Sequence, residues 1–470
     1  MKEKSSLDAL RKESEDVLVE IMRLMGKRSS LARSIAETKM RQSLPIEDLE
    51  VERRLNRIVR QKCKAYGVDP NLGLRVLNLL IEESKNVQSK VMEKSLTKKA
   101  GSVSPYAVFE RAKQMEKRGK RLIHLEIGEP DFGPPEKVKK ALEEALHSGH
   151  THYTETAGIP ELRAKIAEIV TQRVGTDISP KQVLVTLGGR YAVFLCIATT
   201  LLPGDEALII EPAWPAYKAC VKRSEARPII VPTELAKNWM MNIDSLQENI
   251  SKSTKMIILN NPNNPTGKIF NNAVLERMVT MARENGIWLL SDEVYSSFAF
   301  SPFKSILEFQ ECRHVCISSF SKEFGMTGFR IGYSISDAQT IDKMTKLQNL
   351  SLTSPPEFVQ YAALAALNCV EEAQEYAKTI KSRMNLMTRA LRELPLLYSQ
   401  PDGGFYIFPK LKDKKMDGQV FSEKLLVKKG VSITPGTAFG DHYNQFVRLS
   451  VCQPQGVLLE AVKRMKEMLG

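Results

Sequence analysis

Two patterns of apolar and polar positions divide the chain. In the first stretch Leu10, Val17, Ile21, Leu24, Met25, Leu31 and Ile35 recur at helical spacing. No proline or strand-like alternation interrupts them before Leu44-Pro45. A second helical run is predicted from Asp48 to Tyr66. Gly67-Val68-Asp69-Pro70 punctuates it, and a third run covers Asn71 to Met92. Three helices of unequal length, the first very long, cannot bury their apolar faces alone, which predicts self-association. Residues 93–104, polar and small without periodicity, read as a linker. From Pro105 the period changes. Short β-branched runs at 182–187, 207–211, 228–231, 255–259, 287–291, 315–318 and 330–335 alternate with amphipathic helices. That alternation predicts a mostly parallel seven-stranded sheet in an α/β unit. The last part, with strands predicted at 404–408, 431–433 and 446–450, reads as a smaller α+β subdomain. The expected fold is therefore multidomain: an all-α three-helix unit over 1–92, then an α/β unit over 105–470.

Composition narrows the classes. The 470 residues exceed the ~250–300 that one core usually serves. Lys and Arg number 68 against 55 Asp and Glu, for a net charge of +13. These cations are spread singly through helical patterns with no dense tract, so nucleic acid is not the expected partner and small dianions are. No apolar run approaches the ~18 residues of a membrane helix, so no membrane partner is expected. The opening residues are too charged for a signal peptide. Seven scattered cysteines without a CxxC pair fit a reducing cytoplasm and argue against disulfides or a metal centre.

The strongest local signal runs from Ser318 to Tyr333. A lysine, Lys322, directly follows a predicted strand, is flanked by serines, and precedes a glycine-rich turn and Arg330. Upstream lie Asn264-Pro265-Thr266-Gly267 and Ser291-Asp292-Glu293-Val294-Tyr295. Together, in this order and spacing, residues 105–470 resemble the class I and II aminotransferases of the fold-type-I pyridoxal-phosphate enzymes. The resemblance implies pyridoxal 5'-phosphate, with Lys322 binding its aldehyde and afterwards moving a proton. Asp292 would keep the pyridine nitrogen protonated, and Tyr295 and Asn264 would hydrogen-bond the 3' oxygen. Gly189 and Arg190, opening a helix after a strand, would meet the phosphate with Ser319 and Arg330. Tyr153 matches a tyrosine that reaches the neighbouring subunit's phosphate, implying a homodimer or higher homo-oligomer. Trp214 would stack on the ring. Arg448 would bind the substrate α-carboxylate, with Gly128 adding a backbone donor. Arg190 is equally placed to reach a distal substrate carboxylate.

Helical geometry also aligns polar residues in the first unit. Arg28 and Lys39 are three turns apart on one stripe, while Asp48 with Glu52 and Ser84 with Gln88 are i,i+4 pairs. Residues 5–92 resemble the all-helical chorismate mutases. The resemblance implies that Arg28, and Arg11 from a partner helix, bind the two carboxylates of chorismate. Lys39 and Gln88 would donate to the breaking ether oxygen, and Asp48, Glu52 and Ser84 would orient the substrate. Val51 stands where that family usually has a basic residue, so the implied cage has one cation fewer.

The joint expectation is a bifunctional enzyme of aromatic amino-acid biosynthesis. It would rearrange chorismate to prephenate and move an amino group from aspartate or glutamate to a 2-oxo acid: prephenate, phenylpyruvate or 2-oxoglutarate. The competing expectation is an aspartate-type aminotransferase or pyridoxal-phosphate lyase with a non-catalytic, effector-binding or dimerising helical unit.

Overall fold

The computed structural model describes residues 2–42, 48–99, 107–117, 119–413 and 416–469. The chain forms two compact units, 1–102 and 103–470.

The first unit is three helices: α1 (Lys2–Gln42), α2 (Leu49–Tyr66) and α3 (Pro70–Lys99). Asp48, in extended conformation, accepts the Val51 N–H at 3.1 Å and starts α2, with Glu50 and Glu52 favourably placed in its first turn. Gly67 ends α2 in the left-handed region at φ +67°. Helix α3 packs on both others. Ser29 of α1 donates to Glu83 of α3 at 2.5 Å. The shared core is thin: Ala32, Ala36, Cys63, Leu77 and Gln88 are buried, while Val17, Ile21, Leu24, Leu31 and Ile35 are exposed. Helix α3 runs on to Lys99, beyond the predicted end at Met92, so the first part of the segment read as a linker is helical. Glu93, Lys94, Leu96, Lys98 and Lys99 are good helix formers that carry the turn without an apolar stripe. The rest of that segment, 100–104, lies outside the described residues.

The second unit is built on a seven-stranded sheet. Its strands are β1 (Val183–Thr186), β2 (Glu206–Glu211), β3 (Arg227–Pro232), β4 (Thr254–Asn260), β5 (Trp288–Asp292), β6 (His314–Ser319) and β7 (Gly332–Ile335). The order is β1-β7-β6-β5-β4-β2-β3. Only β7 is antiparallel to its neighbours. Alternate residues point to opposite faces. Leu208, Ile210, Ile257, Leu259 and Leu289 enter one core, and Ala207, Ile209, Met256, Ile258 and Leu290 the other. Burial on both faces is why these strands read as continuous apolar runs. Each large aliphatic side chain so buried contributes about 1.5–3 kcal/mol.

A third core belongs to the C-terminal subdomain, around Phe405, Phe421, Leu425 and Leu449. Its strand Val447–Ser450 pairs antiparallel with Tyr406–Ile407 and with Thr434–Pro435. The predicted strand at 431–433 resolves into two: Val431–Ser432, which pairs parallel with Ile123–His124, and Thr434–Pro435. The strand predicted from Arg330 begins at Gly332, because Arg330 itself adopts a left-handed backbone at φ +55°. Among the described residues, no helix is long and apolar enough to cross a membrane, and no cluster of potential metal ligands occurs.

Candidate active sites

Parallel strands end together, and open α/β sheets bind ligands at that carboxyl edge. Strand β5 delivers Asp292 there, and β6 delivers Ser319 and the four-residue helix Phe320–Glu323 that carries Lys322. These groups line a cavity of about 450 Å³. Gly128, Gly189, Arg190, Trp214, Asn264, Asp292, Tyr295, Ser319, Lys322, Arg330 and Arg448 all border it. Tyr153 does not; its side chain stands 85% exposed on the surface of the unit.

Asp292 is buried, and burial pushes its carboxyl up to about 6. Its Oδ2 accepts the Tyr217 hydroxyl at 2.6 Å and its Oδ1 the Val294 N–H at 3.4 Å, both of which favour the charged form. Asn260 ties the local chain: its Nδ2 donates to the Asp292 carbonyl at 2.8 Å and its Oδ1 accepts the Asn264 N–H at 2.6 Å. Asn264 Nδ2 donates to the Tyr295 hydroxyl at 3.4 Å.

Lys322 Nζ donates to the Gly128 carbonyl at 2.7 Å, and burial lowers the ammonium pKa. Gly128 is held against Tyr406. A Cβ there would lie 1.5 Å from the tyrosine oxygen, so only glycine fits. Arg448 is buried. Its Nη1 donates to Asn264 Oδ1 at 3.0 Å, and its Nη2 to the Glu126 carbonyl and, at 3.3 Å, to Thr434. The guanidinium lies 4.2 Å over the Tyr406 ring, and its Nε has no partner. A buried donor without an acceptor is costly unless a ligand supplies one.

Around the other end, Gly188 precedes the helix Gly189–Thr200 at φ +77°, and a Cβ on it would meet Arg330 Nη2 at 2.8 Å. Backbone and guanidinium thus close on one small volume at a helix N-terminus. Ser319 Oγ donates to the Ile331 carbonyl at 3.3 Å and accepts the Ser321 N–H at 3.1 Å. The Arg190 guanidinium lies 4.8 Å over Trp214, which meets Tyr217 edge-on. Sequence reasoning missed Tyr217, Asn260, Val294, Ser321 and Tyr406, all of which line the cavity. Asn260, four residues before Asn264, had a local signal; Tyr217 and Tyr406 reach the site only through the tertiary fold.

In the helical unit Arg28 and Lys39 are half-buried and Gln88 is buried. Arg28 Nε and Gln88 Oε1 are buried without partners. Glu52 pairs with Lys85 at 2.8 Å, a partner the sequence did not indicate. The Ser84 hydroxyl returns to the Leu80 carbonyl at 2.8 Å, and exposed Asp48 caps α2. Arg11 is exposed and pairs with Asp8 at 3.4 Å. It stands 17 residues from Arg28 on one helix, roughly 25 Å away, so the two do not meet within one chain.

Residues 120–465 match the family described as aminotransferase class I and II, and residues 10–89 match chorismate mutase type II. An aspartate aminotransferase of Pyrococcus horikoshii is 36% identical over 368 residues, 77% of this chain and 93% of the relative. A probable aspartate/prephenate aminotransferase of Aquifex aeolicus is 32% identical over 393 residues, 80% and 99%. The crystal structure of aspartate aminotransferase from Thermotoga maritima superposes with a TM-score of 0.75 at 34% identity, covering 78% of this chain and 97% of that one.

Proposed function

Because the chain belongs to the class I and II aminotransferases and carries a chorismate mutase type II domain ahead of that unit, we propose that it converts chorismate to prephenate and aminates an aromatic-pathway 2-oxo acid at a separate pyridoxal-phosphate site. The observation that carries the amino-transfer reading is the convergence of Lys322, Asp292 and Arg448 on one cavity.

The residues present fit pyridoxal phosphate. A buried acid, a half-buried amine of lowered pKa, an unpartnered guanidinium nitrogen and a glycine cradle beside Arg330 match its ring nitrogen, its aldehyde, a substrate carboxylate and its phosphate. When bound, that cofactor supplies an electron sink for the substrate Cα. Asp292, kept anionic by Tyr217 and the Val294 N–H, holds a proton on the ring nitrogen. Lys322 Nζ, its ammonium disfavoured by burial, takes and returns the proton at Cα. Arg448 holds the α-carboxylate with its free Nε, and Asn264 fixes the guanidinium plane. Gly189, Ser319 and Arg330 hold the phosphate, Trp214 covers the ring, and Tyr295 with Asn264 holds the 3' oxygen. Tyr153, exposed on this unit, serves the partner copy in a homodimer. Arg190, resting on Trp214, takes the distal carboxylate of aspartate, glutamate or prephenate. The likeness to the Aquifex relative, a probable aspartate/prephenate aminotransferase, supports aspartate and prephenate among these.

In the helical unit the reaction needs neither acid nor base. Arg28 and the partner copy's Arg11 hold the two carboxylates, Lys39 and Gln88 stabilise charge on the ether oxygen, and Asp48, Glu52 and Ser84 orient the ring. The distance between Arg11 and Arg28 supports a site shared between two chains. Seven free cysteines fit a cytoplasmic enzyme. Steady-state assays test the pairing: prephenate or phenylpyruvate is expected to accept the amino group of aspartate or glutamate. Fast aspartate–oxoglutarate exchange with no turnover of either aromatic-pathway acid overturns it.

A further inference from the structure

The segment that carries Lys322 also borders a second cavity, of about 280 Å³, through Phe320, Glu323 and Phe324. Ser319 borders both. Its lining is mostly apolar: Ile166 and Ile169, and Val370 and Ala377, face it from two helices, and Phe324 and Leu367 directly follow two others. The lining also holds a cation and an anion, Arg173 and Glu323, whose closest N–O distance is 3.5 Å. A close guanidinium–carboxylate pair sits at about 2.7–2.9 Å, so this one is slack. Glu323 is nearly buried, while Arg173 is half open to solvent. The contrast with Glu293 is instructive. That buried carboxylate is fully engaged by Ser291, Ser305 and the Ile306 N–H. Among the described residues Glu323 has Arg173 alone, and Arg173 makes no other ion pair or hydrogen bond.

A simple carboxylate entering here would place a second anion beside Glu323, and a simple amine a second cation beside Arg173. A zwitterion does neither. We propose that this cavity is a second amino-acid site, which takes an α-amino acid with an apolar or aromatic side chain. The ligand's carboxylate lies on Arg173, its ammonium on Glu323 and its side chain among the apolar walls. The size suits a small ligand of this kind, just below the ~300–1,000 Å³ typical of small-molecule pockets.

The site has a built-in consequence, which rests on the reading of Lys322 as the cofactor lysine. Glu323 is the next residue after Lys322 on a helix of only four residues. A ligand that parts Arg173 from Glu323 displaces the neighbour of the reacting amine, and displacements of about 1 Å at a reacting group cost rate steeply. Occupancy therefore lowers kcat without competing for the amino donor.

The test uses the full-length, cofactor-loaded enzyme and α-methyl-L-phenylalanine, which carries the zwitterion and ring but has no α-hydrogen to transfer. The expected result is a fall in kcat for amino transfer from aspartate that saturating aspartate does not restore. Arg173→Gln, which removes the cation, and Ala377→Phe, which fills the cavity, are both expected to abolish that inhibition. Ala377→Phe, which leaves the ion pair in place, is also expected to keep the uninhibited rate, whereas Arg173→Gln, which itself breaks the pair, is expected to lower it. Should Arg173→Gln fail to fold, Ala377→Phe decides. Inhibition relieved by aspartate, or unchanged in the folded variants, overturns the proposal. An enzyme without any amino transfer would instead contradict the reading of Lys322. Calorimetry would then decide on the second site: probe binding weakened in the variants supports it, and unchanged or absent binding overturns it.

Discussion

Strands β4 and β6 of the larger unit are buried almost end to end, whereas helix α1 of the smaller one leaves Val17, Ile21, Leu24 and Leu31 open to solvent. The difference lies in where each unit finds its partner surface. A sheet covered on both faces completes its core within one chain. Three helices with an apolar face on the longest do not, and a large exposed apolar surface marks an interaction site. The candidate sites follow suit. Lys322, Asp292 and Arg448 meet within one chain, while Arg11 and Arg28 stand too far apart to act on one small molecule from the same copy. On the proposed reading, one chain thus joins a site that is nearly complete alone to a site that needs a second copy.

Substitutions that separate the two sites test this contrast. The largest effect is expected from Lys322→Ala. Amino transfer falls by roughly 10²–10⁴ or more, the share carried by a positioned proton-transfer group, while chorismate consumption is unchanged in the same preparation. A parallel loss of both activities would mean that the units are not independent. Next is Ile21→Glu with Leu24→Glu, which places charge on the exposed face of α1. Mutase turnover is expected to fall about 10²-fold, as for a misplaced positioning contact, with amino transfer intact. Unchanged mutase kinetics would show that the face has no partner.

The smallest effect concerns stability. His124 lies 2.7 Å from both Glu116 and Glu126, and its pKa is raised to about 9, chiefly by the hydrogen bond to Glu126. The folded protein therefore holds a proton that the unfolded chain releases near pH 6.5. This stabilisation is fully present below about 6.5 and is lost as pH rises through about 9, with a size of no more than about 2 kcal/mol after solvent screening. Thermal unfolding should show that slope, and His124→Gln should flatten it.

Much of this was legible in the sequence, for physical reasons. Strands buried on both faces produce apolar runs, and the residues proposed to hold the cofactor sit at strand ends in a set order. What escaped was of two kinds. Ile123–His124 is too short to show alternation and exists only because Val431–Ser432 lies beside it. Tyr217 and Tyr406 lie far from Asp292 and Gly128 in the chain, and no local pattern announces a hydrogen bond across 75 positions. The helical turns up to Lys99 escaped because helix propensity, without an apolar stripe, looks like a polar linker.

The most direct measurement is reductive trapping of pyridoxal phosphate on the purified enzyme, followed by peptide mass analysis. The account predicts one cofactor mass added on the peptide containing Lys322, and none on the Lys322→Ala variant. An unlabelled enzyme, or a label on another lysine, would contradict it.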